Sequence, residues 1–196
     1  GMTWPFGILP PFGFDMLMVD PPWAFALRSD KGKAKSPQAK YACMPLDTIK
    51  ALPVAQLARG DAFLWLWATN PMLPQALDVM AAWGFTFTTA GTWVKTTSGG
   101  KLAFGTGYVL RSASEPFLIG KFGRPRAGRS VRSVIMAPAR EHSRKPDEAY
   151  AAAEALLPGA LRRADLFSRE ARPGWDAWGR EIGKFDQPAS VPMAAE

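Results

Sequence analysis

Apolar and polar positions fall in blocks along this chain. Phe14-Asp15-Met16-Leu17-Met18-Val19 is apolar except at Asp15 and runs into Asp20, the pattern of a strand buried on both faces. Ala62-Phe63-Leu64-Trp65-Leu66-Trp67 predicts a second strand ending in Ala68-Thr69-Asn70. Leu46 to Leu57 predicts a short helix interrupted near Pro53. Met72 to Trp83 carries a helical period closed by Gly84, a usual C-cap residue. Phe85 to Thr89 and Gly91 to Val94 read as strand material rich in β-branched and aromatic residues. Glu115 to Ile119 and Val131 to Ala137 predict further strands, and Ala164 to Phe167 the last one. Pro146 opens a helix through Leu157, with Asp147 and Glu148 suited to its N-terminus. Residues 28–36, 96–107 and 120–129 lack apolar periodicity and read as loops, and the chain after Asp186 as a disordered tail. Strands alternating with helices predict one three-layer α/β domain over residues 1–185 with a mostly parallel sheet.

The first strand ends in Asp20-Pro21-Pro22-Trp23. The prolines hold Asp20 and Pro21 extended as the chain leaves the sheet. In open α/β sheets, ligands bind beyond the carboxyl ends of the strands, where this tetrapeptide would lie. A carboxylate, a proline carbonyl and an aromatic plane at one point suit a planar base with an exocyclic amino group. Asp20 and the carbonyl can accept its N–H bonds, and Trp23 can cover its ring. An ordinary strand-ending turn would use the same residue types.

Composition narrows the classes. The 196 residues suffice for one self-supporting core, and no run approaches the roughly 18 apolar residues of a membrane span. Gly1 before Met2 reads as a cloning residue, with nothing nearby resembling a signal peptide. Cys43 is the single cysteine, so no internal disulfide forms, and a reducing, cytoplasmic compartment is expected. His142 is the single histidine, which predicts neither a metal site nor a catalytic triad. Gly105-Thr106-Gly107 lacks the wider dinucleotide spacing, and no Gly-Lys-Ser/Thr phosphate loop occurs. The net charge of +7 is concentrated: residues 95–145 hold eleven Lys and Arg against Glu115 and Glu141, a local +9. A polyanion held through its phosphates fits that stretch, as does a solvated surface.

Several segments together resemble the MT-A70-like family of adenine-N6 methyltransferases, particularly its short bacterial and phage-type members. The residues that carry the resemblance are Asp20-Pro21-Pro22-Trp23, Tyr41-Ala42-Cys43-Met44, Leu64 to Asn70 and Trp93-Val94-Lys95-Thr96. Arg140 to Glu148, Leu166-Phe167-Ser168-Arg169 and Gly174 to Gly179 continue it, so that it spans nearly the whole chain, Trp4 to Gly183. It implies a Rossmann-like methyltransferase using S-adenosylmethionine, in a permuted, beta-class-like order with the catalytic tetrapeptide ahead of most cofactor motifs. Asp20, Pro21, Pro22 and Trp23 would then be catalytic.

The resemblance gives Lys145 the cofactor's methionine carboxylate and Arg169 its ribose or adenine edge, with Asp20 beside both. Glu181 could bind ribose hydroxyls, and Arg180 stands where many relatives carry asparagine. Tyr41 matches an aromatic of the loop that closes over the base, or is a packing tyrosine. Asn70 and Lys95 could touch substrate, or cap a turn and meet solvent respectively. Arg124, Arg126 and Arg129 are expected to hold nucleic acid, within a substrate-facing region 96–130. The bacterial flavour of the resemblance favours DNA over RNA, and a homo- or heterodimer with a second family member is compatible with it. A catalytically silent homologue that holds nucleic acid or supports a partner is the alternative.

Overall fold

The computed structural model describes residues 3–24, 43–141, 144–180, 182–183 and 186. The strands are β1 (Phe14–Val19), β2 (Ala58–Trp67), β3 (Thr86–Thr96), β4 (Ser114–Phe122), β5 (Val134–Pro138), β6 (Arg163–Leu166) and β7 (Asp176–Trp178). The helices are α1 (Leu46–Ala51), α2 (Leu73–Ala82) and α3 (Asp147–Leu156), with 3-10 turns at Val54–Leu57 and Asn70–Met72. Among the described residues the seven strands form one sheet in the order β5-β3-β4-β2-β1-β6-β7. β1 pairs in parallel with β2 and β6, β6 with β7, and β3 with β5, while β4 lies antiparallel between β2 and β3. This is the mostly parallel, Rossmann-like sheet that the block pattern predicts.

Alternation along the strands divides the core in two. Leu17, Val19, Leu64, Leu66 and Leu118 face α1 and α2, where Ile49, Val79 and Met80 are fully buried. Met16, Met18, Phe63, Trp65, Trp67 and Trp93 face α3 through Ala149 and Ala153. Trp65 stacks on Phe117 with centroids 4.0 Å apart, so both tryptophans of β2 belong to the core. Asp15, the one polar residue in β1, accepts the Leu161 and Arg162 amides at 2.7 and 3.3 Å.

Three elements differ from expectation. Residues 86–96 form one strand, because Gly91 lets the Phe117 ring and the Ser133 carbonyl close in where a Cβ would collide with both. β2 begins at Ala58 because that residue pairs with Phe14 of β1. β7 is only three residues long, too short for a periodic signal, and is held by pairing with β6.

Candidate active site

Strand directions decide which loops meet. The chain leaves β1, β2, β3, β5, β6 and β7 at one edge of the sheet, and reversed β4 enters there. Asp20, Asn70, Lys95, Lys145, Arg169 and Arg180 all follow or close strands at that edge. It is the edge at which open α/β sheets bind ligands.

Asp20 stays tied to the sheet through its N–H, which donates to the Leu166 carbonyl at 3.3 Å. The prolines then turn the chain, the Pro21 carbonyl accepting Trp23 N–H and the Pro22 carbonyl accepting Met44 N–H, both at 2.9 Å. Trp23 is buried and its indole N–H donates to the Trp67 carbonyl at 3.1 Å. Its ring therefore ties the turn to β2.

The Asp20 carboxylate faces two cations, Lys145 Nζ at 3.4 Å and an Arg169 guanidinium nitrogen at 4.0 Å. Lys145 opens α3 and is buried over the Trp67 ring, 5.2 Å from its centroid. Burying an ammonium is costly unless it is paired, and Glu115 supplies the pair with both carboxylate oxygens at 3.2 Å. Lys95 Nζ lies 3.5 Å from the same carboxylate, packed over Trp93. Lys95 is thus an ion-paired member of the site. Glu115 is its hub, and sequence reasoning passed over it.

A second layer supports the first. Tyr150 of α3 donates its hydroxyl to Asp165 at 3.0 Å. Burial pushes the Asp165 carboxyl up to about 7, against the opposing hydrogen bonds of Tyr150 and Ser168 and the nearby Arg172. Burial also raises the Tyr150 phenol. The Arg172 guanidinium stacks on Tyr150 at 3.7 Å and donates to Asp147 at 2.6 Å and to Glu170 at 2.8 Å. That contact with Arg172 holds the Asp147 carboxyl below its usual range. Arg144 bridges Glu141 and Glu170, and Arg140 donates to the Lys145 carbonyl at 3.3 Å. Phe167 turns the chain out of β6 with φ of 61°, a left-handed backbone costly for a bulky residue. That turn brings Ser168 N–H to the Trp178 carbonyl at 2.9 Å and places Arg169 over the edge. An acid within the apolar run 164–167 was the signal that could have exposed Asp165.

Not every expected residue joins the site. β4 runs away from this edge, so Gly123 and the arginines after it lie at the opposite one, where Phe122 pairs with Ala62. Arg124 N–H donates there to Asp61 at 2.8 Å, and Gly128 N–H to the Leu156 carbonyl at 2.7 Å, at the far end of α3. The expected substrate-facing region 96–130 is therefore split, and Arg124, Arg126 and Arg129 do not line the Asp20 site. Asn70 and Arg180 are exposed on the site's edge. Tyr41, Glu181, His142 and the 28–36 loop lie outside the described residues.

The donor set suits S-adenosylmethionine. Lys145 is a cation for a carboxylate, Arg169 offers guanidinium donors for a ribose or adenine edge, Asp20 is an anion for an ammonium or sulfonium, and Phe167 and Trp178 give apolar surface beside them. A hollow of about 510 Å³ beside Leu9, Arg162 and Trp175 holds none of the candidate catalytic, cofactor or substrate residues, although Trp175, Asp176 and Ala177 of the Gly174–Gly179 segment line it.

Comparisons with known proteins give the family. The MT-A70 family model matches residues 14–181. The type II methyltransferase M.MunI of a Mycoplasma species is 28% identical over 96% of this chain and 85% of its own length. An N(6)-adenosine-methyltransferase MT-A70-like protein of Arabidopsis thaliana is 32% identical over 86% of this chain but only 24% of its own length. The N6-methyladenosine RNA methyltransferase MTA1 of Cryphonectria parasitica is 29% identical over 89% of this chain and 53% of its length. The chain thus spans a quarter to a half of these two eukaryotic relatives. A sheet edge carrying Asp20-Pro21-Pro22-Trp23 and a match over most of the sequence lead to one conclusion: the chain belongs to the MT-A70 family.

Proposed function

We propose that this chain is an S-adenosylmethionine-dependent methyltransferase acting on N6 of adenine in nucleic acid, DNA in preference to RNA. The observation that carries the reading is the Asp20 carboxylate on a rigid strand-end turn, faced by Lys145 and Arg169. The preference for DNA rests on M.MunI, with which the chain shares nearly its full length, whereas the relative named for RNA is matched over about half.

S-adenosylmethionine supplies an electrophilic methyl group when bound, and Lys145 and Arg169 would hold it. The N6 lone pair of adenine is delocalised into the ring, which makes it a poor nucleophile. Asp20 and the Pro21 carbonyl accept the two amino hydrogens and draw the nitrogen towards a tetrahedral shape. The Pro21 oxygen already accepts Trp23 N–H and keeps a second lone pair for this bond. Trp23, locked by its indole bond to Trp67, prevents the turn from relaxing. Catalysis is chiefly orientation, worth several kcal/mol when the acceptors are pre-set. The N6–methyl bond would form as the methyl–sulfur bond breaks, S-adenosylhomocysteine would be the leaving group, and one N6 proton would pass by way of the Asp20 carboxylate to solvent. A base inside a duplex is first flipped out, at a cost of a few kcal/mol.

The test is transfer of labelled methyl to matched DNA and RNA oligonucleotides, with and without adenine, read by nucleoside mass spectrometry. N6-methyladenine in DNA alone is expected. Cofactor binding with no product in any oligonucleotide would favour the silent homologue instead.

A further inference from the structure

Residues 97–113 join β3 to β4. Because β4 is reversed, both ends of this connection lie at the Asp20 edge. The base is clamped on both sides of one residue: Lys95 N–H donates to the Ala113 carbonyl at 2.8 Å, and Ala103 N–H to the Lys95 carbonyl at 2.9 Å. Lys95 is the residue whose side chain meets Glu115, and Glu115 holds Lys145 against Asp20. The finger therefore springs from the wall of the site.

Its shape is built. Thr97 N–H donates to the Lys101 carbonyl at 2.7 Å, and Gly105 N–H to the Ser112 carbonyl at 2.7 Å. A Cβ at Gly105 would approach that Ser112 oxygen to 2.9 Å, and one at Gly107 would collide with the Leu110 carbonyl. The tip turns at Val109 with φ of 64°, a conformation β-branched residues avoid. Phe104 is 82% exposed, Val109 98% and Leu110 78%, with Tyr108 half-exposed beside them. From Lys95 to Ala113 the chain carries Lys95, Lys101 and Arg111 and no acid. Exposed aromatic and apolar side chains on a cationic, acid-free, glycine-shaped loop match stacked bases between phosphates.

We propose that the 97–113 finger grips the nucleic-acid strand beside the methylated base. Phe104 and Tyr108 stack on neighbouring bases, Val109 and Leu110 enter the stack the target leaves, and Lys101 and Arg111 meet phosphates. This rests on the reading of the chain as an adenine methyltransferase of nucleic acid.

The test is the triple variant Tyr108→Ser, Val109→Ser, Leu110→Ser, which keeps both glycines and the Lys95 clamp. Leu161→Ser, an exposed apolar position at the opposite edge, serves as control. Affinity for fluorescein-labelled DNA and RNA oligonucleotides is read by anisotropy, S-adenosylmethionine affinity by calorimetry, and assembly by sedimentation. The expected result is a tenfold or greater loss of oligonucleotide affinity in the triple variant alone, with cofactor affinity within twofold of the parent. Unchanged oligonucleotide affinity with intact cofactor binding would overturn the finger and leave the enzymatic reading standing. A loss explained by a dimer falling to monomer would overturn it in favour of an interface between copies. A parent protein that binds neither cofactor nor oligonucleotide would overturn both readings together.

Discussion

Asp165→Asn isolates a buried proton. Asp165 sits at the end of β6 with Tyr150 donating to it, Ser168 and Arg172 near it, and Asp20 adding repulsion. Its carboxyl rises from an ordinary 3.8 to about 7, chiefly through burial. Below pH 4 the group is protonated folded or unfolded and costs nothing. Between about pH 4 and 7 the unfolded chain releases its proton while the folded one keeps it, so stability falls as pH rises. The fall is about 1.4 kcal/mol per pH unit and about 4 kcal/mol in total, flat above pH 7. Asparagine keeps an acceptor for Tyr150 and cannot titrate. Urea unfolding followed by tryptophan fluorescence from pH 4.5 to 8 gives both curves, and their difference removes the contributions of other groups, among them the oppositely signed Asp147. The wild-type curve should drop relative to the variant by several kcal/mol across that window. Adding Asp20→Ala should move the midpoint down, since the Asp20 charge raises it. Parallel curves would refute the buried, neutral carboxyl.

Four further outcomes are expected. Asp20→Ala should abolish methyl transfer, measured with labelled cofactor, while the thermal midpoint stays within a few degrees. Glu115→Gln removes one of the two counter-charges of buried Lys145, leaving Asp20 at 3.4 Å, and should destabilise by about 1–3 kcal/mol in urea titration; a change under 0.5 kcal/mol would refute its place as hub. Gly91→Ala drives a Cβ into the Phe117 ring and the Ser133 carbonyl and should cost about 1–3 kcal/mol by the same method. Arg124→Ser, Arg126→Ser and Arg129→Ser combined should lower oligonucleotide affinity less than Lys101→Ser with Arg111→Ser, compared by anisotropy over a salt series.

The strand ends carried most of what could be read in advance. An apolar run closing on an acid and two prolines fixes its own place, and Lys145 is marked by the helix that Pro146 opens. What periodicity omits is direction. Nothing in Ser114–Phe122 states that this strand runs backwards, yet that reversal lifts Glu115 into the site and carries Arg124, Arg126 and Arg129 to the far edge. Charge density grouped those arginines with Lys95 because they are near in sequence, and topology separates them. The tie of Trp23 to β2 is likewise invisible in sequence. An aromatic beside a carboxylate suggests a ligand platform, and only the fold shows that a carbonyl on the neighbouring strand also takes its N–H.

The reversal of β4 also makes the fold modular. A parallel crossover must cross the face of the sheet and return, but the passage from Thr96 to Ser114 starts and finishes at one edge. Doubling its length costs only about 0.6 kcal/mol of closure entropy and disturbs no strand pairing. A lineage could therefore exchange this hairpin for a longer or differently charged one and retarget the same Asp20 chemistry without redesigning the core. In this architecture, one backward strand separates the part free to vary from the part that must stay fixed.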